Sequence, residues 1–384
     1  MVVTATVESV QTPTAFGYRP ELDGLRAFAV LAVVAFHADL TVFANGYLGV
    51  DVFFVLSGFL VTNVLVTELE NHGRIRLTRF YARRIRRLLP AASATIVLTL
   101  IGMRIVTNAS ERAGLGADAR SAALWFANVN VIDRLADGVD RPSPLFHFWS
   151  LSIEEQFYVL FPLLIMGLVV FARARPQQLW VPLVVATVAT MMVQVIANQA
   201  DWGLAYYSTP ARSYQLLAGA SVAAFMRFHS SRLPTVPSAT APVCFGLVAL
   251  LTLSFAPGVD LSGRGMLTTV LMVLGLGAAD MRPRTTRRFL GSKPQVYLGG
   301  LSYAIYLVHV PIGVLTDYTF DPIAPWPKFA YTAVASIGVA AISSIVLEHP
   351  IRTSERLDEQ HRLVIAMGLV SALVVAFLIT PLLA

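Results

Sequence analysis

The sequence predicts an all-α polytopic membrane protein of about eleven transmembrane helices plus a short re-entrant or interfacial helix, N-terminus cytoplasmic. Three observations predict it. Of 384 residues, 56% are hydrophobic and only 14% charged, against roughly 25% charged in an ordinary soluble domain. Mean hydropathy is +0.65. Apolar runs near the ~20 residues that a bilayer core requires recur along the whole chain. These numbers exclude disorder, collagen and secreted disulfide scaffolds. The single cysteine, Cys244, lies in an apolar stretch and reads as a buried, inert thiol.

Taken in order, the runs cover residues 25–43, 48–67, 89–106, 150–171, 179–197, 210–227, 239–256, 265–280, 296–316, 329–347 and 363–383. The stretch 119–132 is short and carries Arg120, Asn128 and Asn130, so it reads as a re-entrant or surface helix. Residues 1–17 are polar with scattered Val and Thr and are expected to form a mobile tail. Residues 18–352 then form one membrane domain, and 353–384 a linker with an additional span. No signal peptide and no further soluble domain is expected.

Arginine placement predicts the orientation. The stretch after the second run holds Arg74, Arg76, Arg79, Arg83, Arg84, Arg86 and Arg87. Later connections on that side add Arg173, Arg175, Arg227, Arg232, the cluster from Arg282 to Lys293, and Arg352, Arg356 and Arg362. The other side shows only Arg212, Arg264 and Lys328 beside its short connections, while its long segment 107–149, with Arg112, Arg120, Arg134 and Arg141, is poorly constrained by charge. The basic side is therefore expected in the cytoplasm, in a multi-pass plasma-membrane protein. The net charge of +6 reflects topology, and no nucleic-acid partner is expected.

An ionisable group inside a membrane helix costs at least ~2.5 kcal/mol on insertion scales, so each needs a reason. Arg26 and His37 are eleven residues apart. That is three turns plus about 20°, so they share a helix face and stand ~16 Å apart along the axis. Counting inward from the ends of the apolar runs puts His37, Glu154 and His309 ~6–10 Å below the outer surface. Asp51, Arg212 and Gln215 fall at similar or shallower depth. The counting predicts one polar layer, with Glu154 beside His37. Blander readings stand next to it: His309 as a helix–helix hydrogen-bonding residue, Asp51 and Arg212 as a boundary salt bridge, Asp39 as a solvated residue on the opposite face.

In FYARRIRRLLP, Arg84 and Arg87 at i, i+3 share a helical face. Together with Arg83 and with Arg26 at the same membrane face, they offer planar donors suited to phosphate. The same arginines also act as a topogenic signal and contact anionic headgroups. No CxxC, HExxH, Walker or GxGxxG motif occurs, so neither a metal nor nucleotide hydrolysis is indicated. Ser57 in FFVLSGFL and Ser302 in GLSYA do not match GxSxG. Ser57 reads as a packing or substrate-contact residue beside Gly58.

In series, ELDGLRAFAVLAVVAFHA, GYLGVDVFFVLSGFL, FYARRIRRLLP, FWSLSIEEQFYVLFP, LSYAIYLVHVPI and LEHPIR resemble the membrane acyltransferase family 3. That group includes bacterial O-antigen, peptidoglycan and glycolipid O-acetyltransferases. Arg26 and His37 match its R-x10-H signature, and the blocks cover most of residues 18–352. The resemblance implies acyl-CoA (acetyl-CoA) as cytoplasmic donor and a hydroxyl on a glycan or glycolipid outside as acceptor. It carries Arg26, Arg84 and Arg87 into donor binding, His37 into catalysis and Glu154 into the site around it. Family members with an extra C-terminal esterase-like domain differ from this chain, whose last run reads as a further span, so no second acyl-transfer site is expected. The preponderance of Arg and Ala over Lys resembles actinobacterial proteins and brings in an envelope glycolipid such as trehalose monomycolate as acceptor.

On this reading His37 is the general base, since an ordinary imidazole pKa of ~6.5 leaves a usable neutral fraction. Glu154 is expected to orient the ring. Tyr303, Tyr306, Gln215 and Arg212 are candidate oxyanion donors, and a variant of the mechanism passes through an acyl-histidine. The competing reading is a proton-coupled transporter using His37, Glu154 and His309 as relay groups. The repeats and broken helices usual in that class are missing from the sequence.

Overall fold

Helices account for every regular element that the computed structural model describes, which comprises residues 18–139, 143–171, 173, 175–229, 236–254, 261–281, 283–320 and 323–384. The tail expected over residues 1–17, and Arg141, Arg232 and Arg282 of the charge count, lie outside the described residues. In chain order the helices are α1 (Pro20–His37), α2 (Leu48–His72), α3 (Leu77–Val106), α4 (Leu115–Ala123), α5 (Ala127–Ala136) and α6 (Phe148–Val170). Next come α7 (Trp180–Ala200), α8 (Trp202–Tyr207), α9 (Thr209–His229), α10 (Thr240–Leu251), α11 (Leu261–Met281) and α12 (Pro283–Leu290). The last are α13 (Lys293–Thr319), α14 (Pro325–Ser343), α15 (His349–Thr353), α16 (Glu355–Glu359), α17 (His361–Val374) and α18 (Thr380–Leu383).

Each of the apolar runs falls on a helix, but only seven helical stretches among the described residues are long and apolar enough to cross a membrane. They are α2, α3, α6, Pro176–Ala200, α13, Pro325–Thr353 and His361–Leu383. The expectation of about eleven spans is thus met by seven on that criterion. The other four runs are α1, α9, α10 and α11. Of these, α10 has 12 residues, and α11 counts among the shorter apolar helices over its described residues Gly263–Ala279. The other two carry charge. α1 contains Glu21, Asp23 and Arg26, which it tolerates because it is enclosed by α2 and α13. Its polar groups are answered locally: Arg19 lies 2.8 Å from Glu21, and Arg26 3.6 Å from Asp23.

Lipid is as apolar as a leucine side chain, so helices in a membrane gain little from hydrophobic burial and associate through close packing at small residues. Here glycines set the close approaches. A Cβ on Gly58 would collide with the Leu216 backbone, and one on Gly219 with the Val55 carbonyl, so α2 and α9 meet backbone to backbone. Gly49 lies on the Ala29 carbonyl of α1, and Gly299 on the Asp23 carbonyl, which locks α13 to α1.

Two local features matter for the site. First, α1 stops at His37, where the apolar run predicted a helix continuing to residue 43. Asp39 adopts φ 58°, and the Leu40 and Asp39 amides donate to the Ala35 and Phe36 carbonyls, a Schellman closure with aspartate in the left-handed position. Second, α3 begins at Leu77, so Arg79, Arg83, Arg84, Arg86 and Arg87 lie in the first turns of that helix, and Arg74 and Arg76 precede it. In the 107–149 segment, α4 and α5 are 9 and 10 residues long. They are separated at Trp125, φ 61°, and neither can cross a bilayer. Their polar residues are bonded: Asn128 donates to the Tyr207 carbonyl and to Thr209, and Asp118 accepts from Asn130 at 2.8 Å.

Adjacent glycines in α13 give a controlled test. Gly299→Ala is expected to destabilise the protein by the ~1–3 kcal/mol of an overpacked contact, read as a lower Tm in detergent. Gly300→Ala, whose Cβ meets nothing, is expected to be neutral or to stabilise by up to ~1 kcal/mol through helix propensity.

Candidate functional site

A cavity opens between α1, α2, α3, α6 and α13. Arg26, Arg84, Arg87 and Tyr158 line it toward the arginine-rich end, while Phe53, Ser150 and Tyr306 line the far part. Helix periodicity explains the sorting of the arginines. On α3, Arg84 and Arg87 are one turn apart and face inward. Arg86, on another face, is buried and donates to the Ile351, Arg352 and Ser354 carbonyls at 2.7–2.9 Å. Arg83 is exposed, 4.0 Å from Asp358, and does not line this cavity. It therefore stands apart from Arg84 and Arg87, with which the sequence grouped it. The Arg84 guanidinium lies over Tyr158 at 4.4 Å and over Phe80 at 5.5 Å. No carbonyl or carboxylate among the described residues accepts a hydrogen bond from Arg84 or Arg87.

Glu154 belongs to this cavity. Its Oε1 accepts from the Ser57 hydroxyl at 2.5 Å, and Arg26, Arg84 and Arg87 are the charges that act on it. The expectation that Glu154 orients His37 is corrected by these partners. The reason is the early end of α1: His37 is its last residue, whereas Glu154 lies six residues into α6, ~9 Å from that helix's start.

His37 instead joins a cluster of imidazoles. Its Nδ1 lies 3.0 Å from the Val33 carbonyl and 3.2 Å from His309 Nε2. His309 Nδ1 is 2.7 Å from the Tyr306 carbonyl. A carbonyl only accepts, so both Nδ1 atoms carry the proton, and in neutral rings both Nε2 atoms carry lone pairs. His309 Nε2 thus accepts from His37 Nδ1–H, and His37 Nε2 is left with no hydrogen-bond partner among the described residues. A third ring, His147, is fully buried, with its centroid 5.3 Å from that of His309. Its Nε2 donates to the Leu307 carbonyl at 2.9 Å. That carbonyl is free because Pro311, four residues on, has no N–H to offer it.

The sequence reading missed His147, which sits just before an apolar run. The signal that could have found it is Pro311, whose position demands an outside donor for Leu307. Ser150 and Tyr158 were missed as well. Tyr306 stands between the two halves: it lines the cavity, bonds Ser150 at 2.5 Å, and its ring lies 5.3 Å from His309 and 5.6 Å from His147. Tyr303 also lines the cavity but donates to the Leu88 carbonyl at 2.7 Å, and Ser302 is buried beside it.

Asp51, Arg212 and Gln215 form a separate buried network. Arg212 lies 3.2 Å from Asp51, with side-chain exposures of 2% and 1%. Its guanidinium is over the rings of Tyr206, Phe54 and Trp149 at 4.8, 5.6 and 5.8 Å, and Gln215 donates to Asp51. These commitments make Arg212 and Gln215 structural partners of Asp51, and neither lines the cavity. Among the described residues no group of three or more His, Cys, Asp and Glu side chains has the arrangement of a metal site.

A family model described as Acyltransferase domain matches residues 19–348. Among curated relatives, the chain is 32% identical to the peptidoglycan O-acetyltransferase OatA of Listeria monocytogenes over 87% of its own length and 56% of the relative's. It is 35% identical to the YrhL protein of Bacillus subtilis, over 88% and 55% of the two chains. It is 31% identical to the O-acetyltransferase OatA of Staphylococcus aureus, over 87% and 57%. The chain therefore spans little more than half the length of these relatives. No solved structure matches it.

The Asp51–Arg212 pair can be tested by a mutant cycle. Arg212→Met strands a buried carboxylate and is expected to cost ~3–5 kcal/mol, whereas the double variant with Asp51→Leu recovers most of that loss. Thermal unfolding in detergent reads both. Additive losses would show that the two side chains are not coupled.

Proposed function

The chain belongs to the acyltransferase domain family, and from that membership we propose that it transfers an acetyl group from acyl-CoA to a hydroxyl of a cell-envelope glycan. The arginine-rich end faces the cytoplasm, following the positive-inside rule, and the acceptor meets the protein at the opposite end of a plasma-membrane bundle. All three relatives carry names for O-acetyl transfer, and the names of two, OatA of Listeria monocytogenes and YrhL, specify peptidoglycan, which moves the expected acceptor from a trehalose glycolipid toward a polymeric envelope glycan.

The observation that carries this reading is the two-ended site. At one end, Arg84 and Arg87 have guanidinium donors that no acceptor among the described residues uses. Beyond the other end, His37 holds its Nδ1–H between the Val33 carbonyl and His309. Unmatched positive charge in a poorly solvated cavity calls for an anionic ligand, and planar guanidinium donors fit phosphate oxygens. Arg26, Arg84 and Arg87 are the residues that would hold the phosphate-bearing donor. When bound, acyl-CoA supplies the acyl group as an activated thioester.

The protein's own residues then do three things. Ser57 fixes Glu154 among the arginines, where its carboxylate offsets part of their charge. His37 Nε2 takes the proton of the acceptor hydroxyl as its oxygen displaces the thiolate from the acyl carbon, and the proton then passes to that thiolate; His309 Nε2, facing Nδ1–H, stabilises the charge held meanwhile on the ring. Tyr306 and Ser150 close the boundary between cavity and imidazoles, so reaction requires their hydrogen bond to open. The transporter alternative needs Glu154 in a relay with His37 and His309, and the bond of Glu154 to Ser57 does not favour it.

His37→Ala is expected to lower acetyl transfer by about 10²–10⁴-fold without changing the yield of folded protein. Mass spectrometry of envelope glycans from gene-deleted cells complemented with wild type or variant measures it. Full restoration of acetate by the variant would sink the assignment. His309→Phe is expected to lose part of the rate, and His309→Gln, which retains an acceptor atom, to regain some of it.

A further inference from the structure

A second pocket lies on the arginine-rich end, between the start of α3 and the α15–α16 turn. Arg83, Arg86, Arg87, Arg352, Glu355 and Asp358 line it. Arg87 lines this pocket and the inner cavity alike, so one guanidinium marks the passage from one to the other.

The wall that carries Arg352 is firmly built. Arg86, only 4% exposed, takes up three carbonyls at the end of α15 and reaches Asp358 at 3.2 Å. These bonds pin the turn to α3. They also occupy the Asp358 carboxylate, which Arg83 approaches only to 4.0 Å. Glu355 is the second acid on the lining. Glu348, bonded to Ser343 at 3.2 Å, acts on Arg352 and Arg87 through space. No acceptor among the described residues takes a hydrogen bond from Arg352 or Arg87, and Arg352 adds to the positive charge that Arg26 and Arg84 place around Arg87. Four guanidiniums thus face two lining carboxylates, one of them already bonded. The chemistry that suits such a site is a phosphorylated group with several anionic oxygens.

We propose that this pocket holds the phosphates at the nucleotide end of the donor, with Arg352 and Arg83 as their ligands and Arg87 at the threshold of the inner cavity. This rests on the acyl-CoA reading above and extends it: the ribose-phosphate end stays in the outer pocket, the diphosphate lies at Arg87 within reach of Arg84 and Arg26, and the slender arm runs on into the inner cavity. Arg86 is a positioning residue that holds the wall, and Arg352 is a specificity determinant contributed by the last turn of the Pro325–Thr353 stretch.

The test uses the full chain in zwitterionic nanodiscs and measures equilibrium binding of adenosine 3′,5′-bisphosphate and of coenzyme A. Arg352→Ala is expected to weaken both by about tenfold or more, Arg352→Lys by less, and Arg356→Ala, in the next helix and off the lining, not at all. Equal affinity in wild type and Arg352→Ala, or no binding by wild type, overturns the proposal. Phosphatidylglycerol added to the discs separates the two sources of phosphate. If it displaces the nucleotide from wild type and is itself retained only when Arg352 is present, the pocket serves a lipid headgroup and the proposal falls. Acetyl transfer from acetyl-CoA is followed separately. Transfer with Arg352-independent binding defeats the pocket alone, and Arg352-dependent binding without transfer supports the pocket while defeating the donor reading.

Discussion

Positive charge placed inside a bundle of apolar helices must be answered there, and the structure is organised by how each arginine is answered. Removing a guanidinium from water costs several kcal/mol unless acceptors or counter-charges replace the lost hydration. Arg212 is met by Asp51 and three aromatic faces. Arg86 is met by carbonyls at the end of a neighbouring helix, and Arg26 by Asp23. Arg84 lies against ring faces and Arg87 among other arginines, with Glu154 and Glu155 acting on both through space. Among the described residues neither guanidinium has a hydrogen-bond acceptor, so spare bonding capacity is concentrated at the cavity they line.

The imidazole cluster follows the same accounting with carbonyls in place of carboxylates. Each ring donates to a backbone oxygen, which sets its tautomer without adding a buried charge. Pro311 supplies one of these oxygens by withholding its own N–H. Val33 supplies another one turn before the end of α1. A histidine neighbour at His37 Nδ1 does the orienting that a carboxylate performs in a Ser-His-Asp triad, and it does so with no negative charge to desolvate.

Close helix contacts make this arrangement possible. Gly49, Gly58, Gly219 and Gly299 bring α1, α2, α9 and α13 to backbone contact, which leaves α1 enclosed and able to carry Glu21, Asp23 and Arg26. Of the five helices around the cavity, α2, α3, α6 and α13 are long and apolar enough to cross a membrane, and α1 is the polar one enclosed between them.

The sequence by itself determined what the period of a helix can determine. Relations along one helix were legible: Arg26 and His37 on one face of α1, Arg84 and Arg87 on one face of α3, and the family to which the blocks belong. So were the apolar runs, each of which has a helix within it. Only the tertiary structure decided what crosses between helices: that Glu154 pairs with Ser57, that His37 meets His309 and His309 in turn packs on His147, that Arg86 holds the α15–α16 turn. The physical reason is that depth in a bundle depends on where each helix starts and stops. An apolar run does not show this, because residues 38–43 continue the hydrophobic pattern while the Schellman turn at Asp39 has already ended the helix. A shift of six residues there is ~9 Å, enough to move an imidazole from one set of partners to another.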